Sequence, residues 1–219
     1  KNRSEMNLAF GRSMHYLGLL CLRQQTRDEI KNISRRISDS RLDEAISCFS
    51  QVLRVRKVLL GDHWEVASTS HHLGVALCRK ASSLSGEKSA SMVDALKSLN
   101  DSLFVLTLFL ERTDRDWNEA NGNKRDITQP ESYGTPDIKS IVICSIENLH
   151  DIALLHEAQG NYEIERARLH DALSLMNTWT ESSKITNWRQ GRNATVRIAL
   201  DETNVWRAKI YHNLGISWF

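Results

Sequence analysis

A short motif that recurs four times constrains the fold of this 219-residue chain more than any other feature of its sequence. In each copy a histidine stands two residues before an apolar residue that is followed by Gly or Ala. On a helix, the apolar residue would face a neighbouring helix, the small residue would allow a close crossing, and the histidine would lie on another face. The motif therefore indicates an internal helical repeat, which decides the architecture first. Its copies are His15-Tyr16-Leu17-Gly18, His71-His72-Leu73-Gly74, His150-Asp151-Ile152-Ala153 and His212-Asn213-Leu214-Gly215.

The composition is that of an ordinary globular protein and excludes several function classes. Only two prolines and ten glycines occur, which favours helix, and the net charge of +2 does not favour a nucleic-acid partner. The four cysteines are scattered in apolar helical stretches without a CxxC pair, so we expect a reduced, cytoplasmic protein. No segment approaches the roughly 20 apolar residues of a membrane span. The sequence ends at Phe219 within a helical pattern, and we expect it to be part of a longer protein that carries any targeting signals elsewhere.

Apolar periodicity predicts helices over residues 8–25, 41–60, 65–80, 92–112, 137–159, 163–180 and 193–219. Gly61 is expected to end the second of these helices. The segment 114–135 is polar and shows no period, so we predict a flexible loop there. The helices form repeat units over residues 8–61, 62–113 and 137–182, with an incomplete unit over 193–219, in a single domain.

Two stretches of the chain resemble a known repeat family. Gln159-Gly160-Asn161-Tyr162 matches the turn between the two helices of the tetratricopeptide repeat (TPR), and Ala172-Leu173 matches its second-helix crossing. The stretch 53–67, with Gly61-Asp62-His63 at its centre, is similar to the kinesin-light-chain subtype. The resemblance implies an all-α fold, an α-α superhelix (solenoid) of antiparallel helix pairs.

The chain departs from the standard repeat in two ways. Successive apolar-small pairs lie 56, 79 and 62 residues apart, whereas the standard unit has about 34. The excess falls in long insertions, which a solenoid tolerates at low thermodynamic cost. In the third unit Glu165 stands where a small residue is expected.

In TPR proteins the first helix of each pair lines the concave face, so the resemblance implies a groove that binds a peptide or a partner's helix. The histidines have two interpretations at this point: imidazole can hydrogen-bond a ligand backbone, or it can bond neighbouring helices and fix their stacking. Metal binding is not favoured, because the consecutive His71 and His72 point about 100° apart. The predicted groove residues are Arg12, His15, Leu19, Arg23, Ser68, His71, His72, Val75, Arg79, Glu147, His150, Leu154, Glu157, Lys209, His212, Asn213 and Ile216.

No motif in the sequence supports catalysis. The patterns GxxxxGK[ST], GxSxG and HExxH are absent, and we expect neither an enzyme nor a cofactor. The clamp by which some TPR domains bind the carboxylate of a chaperone tail needs cations, whereas Glu147 and Asp151 stand at aligned positions. Basic clusters such as Arg54-Val55-Arg56-Lys57 favour solvated helix faces over a nucleic-acid surface.

The sequence therefore favours a non-catalytic scaffold that binds a protein or peptide in the groove. One alternative is a structural subunit of a larger complex that uses the convex face and the 114–135 loop. Another is a regulatory protein that senses a ligand. Homo-oligomerisation stays open.

Overall fold

The computed structural model describes residues 2–30, 35–83, 88–123, 138–190 and 193–216. Nearly all of these residues are helical, and none of them lies in a strand, so the all-α class is confirmed for these ranges. The helices in them are α1 (Asn2–Ile30), α2 (Arg35–Leu60), α3 (Trp64–Ser83), α4 (Lys88–Asn123), α5 (Ile138–Ala158), α6 (Tyr162–Gln190) and α7 (Asn193–Ile216).

Some helices are longer than the apolar pattern predicted. Helix α4 continues to Asn123, and residues 114–123 of the predicted loop are helical. Residues 124–135 lie outside the described ranges. Helix α6 likewise continues to Gln190, ten residues past its predicted end. The physical reason is that polarity alone does not end a helix, because Arg, Glu and Lys are good helix formers and a strong breaker such as proline is needed.

The chain divides into two compact units, Lys1–Pro136 and Asp137–Phe219. In the first unit α1 packs on α2, α2 on α3, and α3 on α4; in the second unit α5 packs on α6, and α6 on α7. Each unit contains two of the four predicted repeats. Helix α3 is thus packed between α2 and α4, whereas α1 packs mainly on α2.

The small residue of the motif marks a close helix crossing in the first unit. A Cβ atom on Gly18 would lie 2.8 Å from the ring of Phe49 in α2, and one on Gly74 would lie 2.6 Å from Leu99 in α4. Real Cβ atoms essentially never approach so closely, so a larger residue at either position would force the neighbouring side chain to move. The predicted role of the motif's small residue is confirmed at these two crossings. Gly215 differs, because no described heavy atom lies within 4 Å of the position that a Cβ atom would take there.

Alanine should destabilise the chain at Gly18 and Gly74 but not at Gly215. We expect Gly18→Ala and Gly74→Ala each to lower the free energy of unfolding by about 1–3 kcal/mol, because Phe49 and Leu99 are fully buried and must move. Gly215→Ala is the matched control and should be neutral or stabilising by up to about 1 kcal/mol, because alanine favours helix. Urea denaturation of the three variants measures this. Equal effects at all three glycines would contradict the assignment of the crossings.

Two glycines end helices in the left-handed region. Gly61 has φ 59° after α2, and its N–H donates to the Lys57 carbonyl at 3.2 Å. Gly160 has φ 77° after α5, and its N–H donates to the Glu157 carbonyl at 2.9 Å. Glycine adopts this conformation without steric cost, so both helices stop here and the chain reverses direction within a few residues. The predicted stop at Gly61 is confirmed.

Candidate functional site

In the first unit, several predicted groove residues meet where α1 passes α3. We call this the α1–α3 seam and define it by Arg12, His15, Leu19 and Arg23 on α1 and His72, Val75 and Arg79 on α3. At one end Arg12 forms an ion pair with Glu65 at 3.2 Å. At the other end Arg79 donates to Thr26 Oγ1 at 2.6 Å and to Gln25 Oε1 at 2.9 Å. Polar contacts at both ends therefore hold the two helices together.

His15 lies at the centre of the seam and is buried, with 8% of its surface exposed. Its ring meets His72 edge-on at 5.2 Å and Phe49 at 5.4 Å between centroids. Its Nδ1 atom lies 3.4 Å from the Thr69 hydroxyl. His72 Nδ1 in turn lies 2.6 Å from the Ser68 carbonyl oxygen, to which it donates. These contacts join α1, α2 and α3, which is the arrangement expected if the histidines fix helix stacking.

A buried arginine of α2 completes this centre. Arg56 is 4% exposed, and one of its terminal nitrogens donates to Thr69 Oγ1 at 2.6 Å and to the Glu65 carbonyl at 3.0 Å. The other terminal nitrogen forms an ion pair with Glu65 Oε2 at 3.2 Å. Such a buried charge is tolerated because it is paired and hydrogen-bonded. Glu65 thus links Arg56 of α2 and Arg12 of α1 to the start of α3.

The electrostatics of this centre keep both imidazoles neutral. Burial, followed by the nearby His72 and the Arg56 charge, lowers the pKa of His15 to about 3. Burial, followed by the nearby His71, lowers the pKa of His72 to about 4, although the hydrogen bond to Ser68 opposes this. A proton on either ring would place a second positive charge beside Arg56 without a new anionic partner.

The predicted groove residues of the first unit differ in accessibility. Ser68 and His71 are buried together with His15, so they are not available to a ligand in this structure. Arg12 and Arg23 are exposed. The remaining four are partly buried and reach the surface of the seam: Leu19, His72, Val75 and Arg79.

In the second unit the corresponding histidine also joins two helices. His150 Nε2 of α5 accepts a hydrogen bond from Asn213 Nδ2 of α7 at 3.1 Å. The His150 ring meets Trp206 edge-on at 5.4 Å between centroids, and Lys209 Nζ lies over the Trp206 ring at 4.2 Å. We call the four helices that carry the motif, α1, α3, α5 and α7, the first-type helices. The motif histidines of α1 and α5 therefore share one role, which is contact with the next first-type helix.

The other predicted residues of the second unit differ in accessibility. Leu154 and His212 are exposed, and Glu147 and Glu157 are partly buried. The side chain of Ile216 lies outside what the structure describes. Glu165, which occupies the expected small-residue position, is 1% exposed, and its Oε2 atom has no hydrogen-bond partner among the described residues. Burial, with a smaller contribution from Glu157, raises the pKa of this carboxyl.

Two residues that complete these centres lie outside the predicted groove. Arg56 belongs to the basic run Arg54-Val55-Arg56-Lys57, and the prediction of a solvated face is wrong for this residue. Its spacing of four residues from Val52 and seven from Phe49 places it on the buried face of α2, and this was the available signal. Trp206 lies six residues before His212 and had no comparable pattern.

The described part of the chain offers neither a metal site nor a membrane span. No three His, Cys, Asp or Glu side chains among the described residues are arranged to hold a metal ion. Among the helices of that same part, none combines the length and apolarity needed to cross a membrane.

Comparison with known proteins adds no assignment to this geometry. No protein-family model matches the chain, and no curated protein matches it either. The resemblance to TPR proteins and to the kinesin-light-chain subtype therefore stays a prediction from the sequence.

Proposed function

We propose that this chain is a non-catalytic helical-repeat scaffold of TPR type that binds a segment of a partner protein along the α1–α3 seam. The observation that carries the proposal is the seam itself. Contacts at both of its ends and at its centre fix α1 against α3, so the surface side chains stand on a rigid support. A preorganised surface loses little entropy on binding, and the partner bears most of the ordering cost.

The accessible part of the seam combines apolar and cationic side chains. Leu19 and Val75 are partly exposed at its middle, and Arg23 is exposed beside them. Arg12 is also exposed, although it forms an ion pair with Glu65. This surface suits a partner segment that places an apolar side chain between α1 and α3 and an acidic side chain near Arg23.

A single substitution on α3 tests the proposal. Val75→Glu adds a negative charge at the middle of the seam and should weaken binding of such a partner at least about tenfold. Val58→Glu is the matched control, because Val58 is an 82% exposed valine on α2 outside the seam. Affinity capture with the wild-type chain and both variants, followed by titration of the captured partner, measures the effect. Circular dichroism checks that each variant is folded.

The outcome that would contradict the proposal is an equal affinity of the captured partner for Val75→Glu and for the wild-type chain. The binding surface would then lie elsewhere on the chain.

A second candidate function, a structural subunit of an assembly, is favoured by a different observation. Helix α1 exposes an apolar face whose equivalent on α3 is buried.

A further inference from the structure

The outer side of α1 carries an exposed apolar stripe about four turns long. We define the outer α1 face by Met6, Phe10, Ser13, Leu17 and Leu20, whose spacing of three and four residues places them on one side of the helix. Met6 is 66% exposed, Phe10 56% and Leu20 50%. None of the five residues is charged. An uncharged apolar stripe of this length on a helix is typical of a surface that another helix covers.

The equivalent face is covered in the other repeat of the same unit. Aligning the motifs places Phe10, Ser13, Leu17 and Leu20 at the positions of four α3 residues that are all buried: Val66, Thr69, Leu73 and Ala76. Leu17 is 39% exposed, whereas Leu73, Ile152 and Leu214, which occupy its position in α3, α5 and α7, are 8%, 1% and 7% exposed. Helix α1 is therefore the exception among the four first-type helices.

The helix that covers this face of α3 is α2, and it indicates what kind of element fits. Leu42, Ala45 and Phe49 of α2 share a buried cluster with Leu73 and Ala76 of α3. Lys80 and Asp43 form an ion pair at one edge of the same contact. The turn at residues 61–63 makes α2 antiparallel to α3. An antiparallel amphipathic helix with a charge pair at its edge is thus the element that this surface accepts.

We propose that the outer α1 face binds the same face of a second copy of this chain, with the two α1 helices antiparallel around a two-fold axis near Ser13. In this arrangement Met6 lies opposite Leu20 of the second copy, and Phe10 lies opposite Leu17 of the second copy. The small Ser13 meets its own equivalent at the axis, where the helices approach most closely. The pattern is self-complementary because the apolar residues are spaced nearly symmetrically about Ser13.

The charges beside the stripe favour a second copy over other occupants. Glu5 and Arg23 are both exposed and lie 18 residues apart, which is five helical turns, so they lie on the same flank of α1. Within one chain they are about 27 Å apart and cannot form an ion pair. In the antiparallel pair each Glu5 lies near Arg23 of the second copy. A cavity of about 220 Å³ beside Phe10, lined by Gly11 and Val52 among others, provides a hole for a side chain of the second copy.

Apart from Arg23, which also belongs to the seam, the residues of this contact lie on a different side of α1 from the seam, so the proposal does not rest on the proposed function. Sedimentation equilibrium of the whole chain over a range of concentrations tests it. We expect a reversible dimer of twice the 25.1 kDa chain mass. Leu17→Asp should raise the dissociation constant at least about tenfold. Val93→Asp, at a 58% exposed valine of α4, is the matched control and should leave the dissociation constant unchanged.

Two further variants test the geometry itself. Arg23→Glu should weaken the dimer, and Glu5→Arg combined with Arg23→Glu should restore it, because only a second copy can bring these two positions together. Ser13→Cys in a Cys78→Ser background should form a disulfide-linked dimer under mild oxidation. Met6→Cys in that background should not, because Met6 would lie about 21 Å from its own equivalent.

Three results would overturn the proposal. The first is a monomer at every concentration up to about 0.1 mM. Self-association would then be too weak for a specific dimer, and the outer α1 face would be left to a helix of another protein. The second is a dimer that persists in folded Leu17→Asp, which would place the contact on another surface. The third is a failure of Ser13→Cys to crosslink while Met6→Cys does so. None of these results bears on partner binding by Val75→Glu, so the two proposals fail separately.

Discussion

Lowering the pH from 7 to 5 should remove about 2 kcal/mol of unfolding free energy from the first unit for each of the two buried imidazoles, His15 and His72. Both have folded-state pKa values far below the ordinary histidine value of 6.5, at about 3 and about 4. The unfolded state therefore binds more protons than the folded state in this range. Stability is complete above pH 6.5 and is lost progressively as the pH falls toward 4 and then 3. A loss of this size is a large part of the roughly 5–15 kcal/mol typical of a domain.

Other groups around these rings fix the sign of the effect. Arg56 and His71 face the two histidines and oppose a further positive charge, and Glu65 is already paired with Arg56 and Arg12. The second unit contains a group with the opposite dependence. The pKa of Glu165 is raised by burial, so its cost to folding falls as the pH drops through that raised pKa. We therefore expect the stability of the first unit to fall more in acid than that of the second unit.

Amide hydrogen exchange across pH 7 to 4 measures the two units separately, because each helix reports its own opening free energy. The combined His15→Gln/His72→Gln variant is the control. It should be less stable at pH 7, since it loses ring contacts, but its stability should vary less with pH below 6.5. An unchanged pH dependence of α1–α3 in this variant would show that other groups cause the acid sensitivity.

The sequence predicted the parts of this structure that follow from periodicity and residue size. The motif located the crossings at Gly18 and Gly74, since a glycine in an apolar helix face has few other uses. It also predicted that His15 and His150 line the groove, and it left both ligand binding and helix stacking open as interpretations. Their burial could not be derived, because it depends on how deeply the neighbouring helices close around them, and this is a tertiary property.

The predictions that differ from the structure share a physical cause. The predicted loop began where apolar residues became sparse, but α4 continues to Asn123, since helix propensity does not require an apolar face. Arg56 was assigned to a solvated face because charged residues are rarely fully buried without partners. Its partners, Glu65 and Thr69, lie on the next helix, and no local pattern in α2 indicates them.

Replacing Arg56 should destabilise the first unit more than alanine at Gly18 or Gly74 does. We expect Arg56→Ala to lower the free energy of unfolding by about 3–5 kcal/mol, because it removes one partner of a buried ion pair. Glu65 then keeps its ion pair with Arg12 but loses the one with Arg56. It also leaves a cavity beside His15 and Thr69. Arg54→Ala is the matched control on the exposed face of α2, two residues away, and should change stability by no more than about 0.5 kcal/mol.

A second pair of variants separates charge from packing at this position. Arg56→Met fills much of the same volume without a charge, and combining it with Glu65→Gln also removes the carboxylate that has lost this partner. If the buried ion pair is the main contribution, the double variant should be more stable than Arg56→Met alone, since replacing both partners of such a pair costs little. Chemical denaturation of the variants at pH 7 measures this. A loss of less than about 1 kcal/mol in Arg56→Ala would mean that the guanidinium is solvated and that His15, Thr69 and Glu65 do not depend on it.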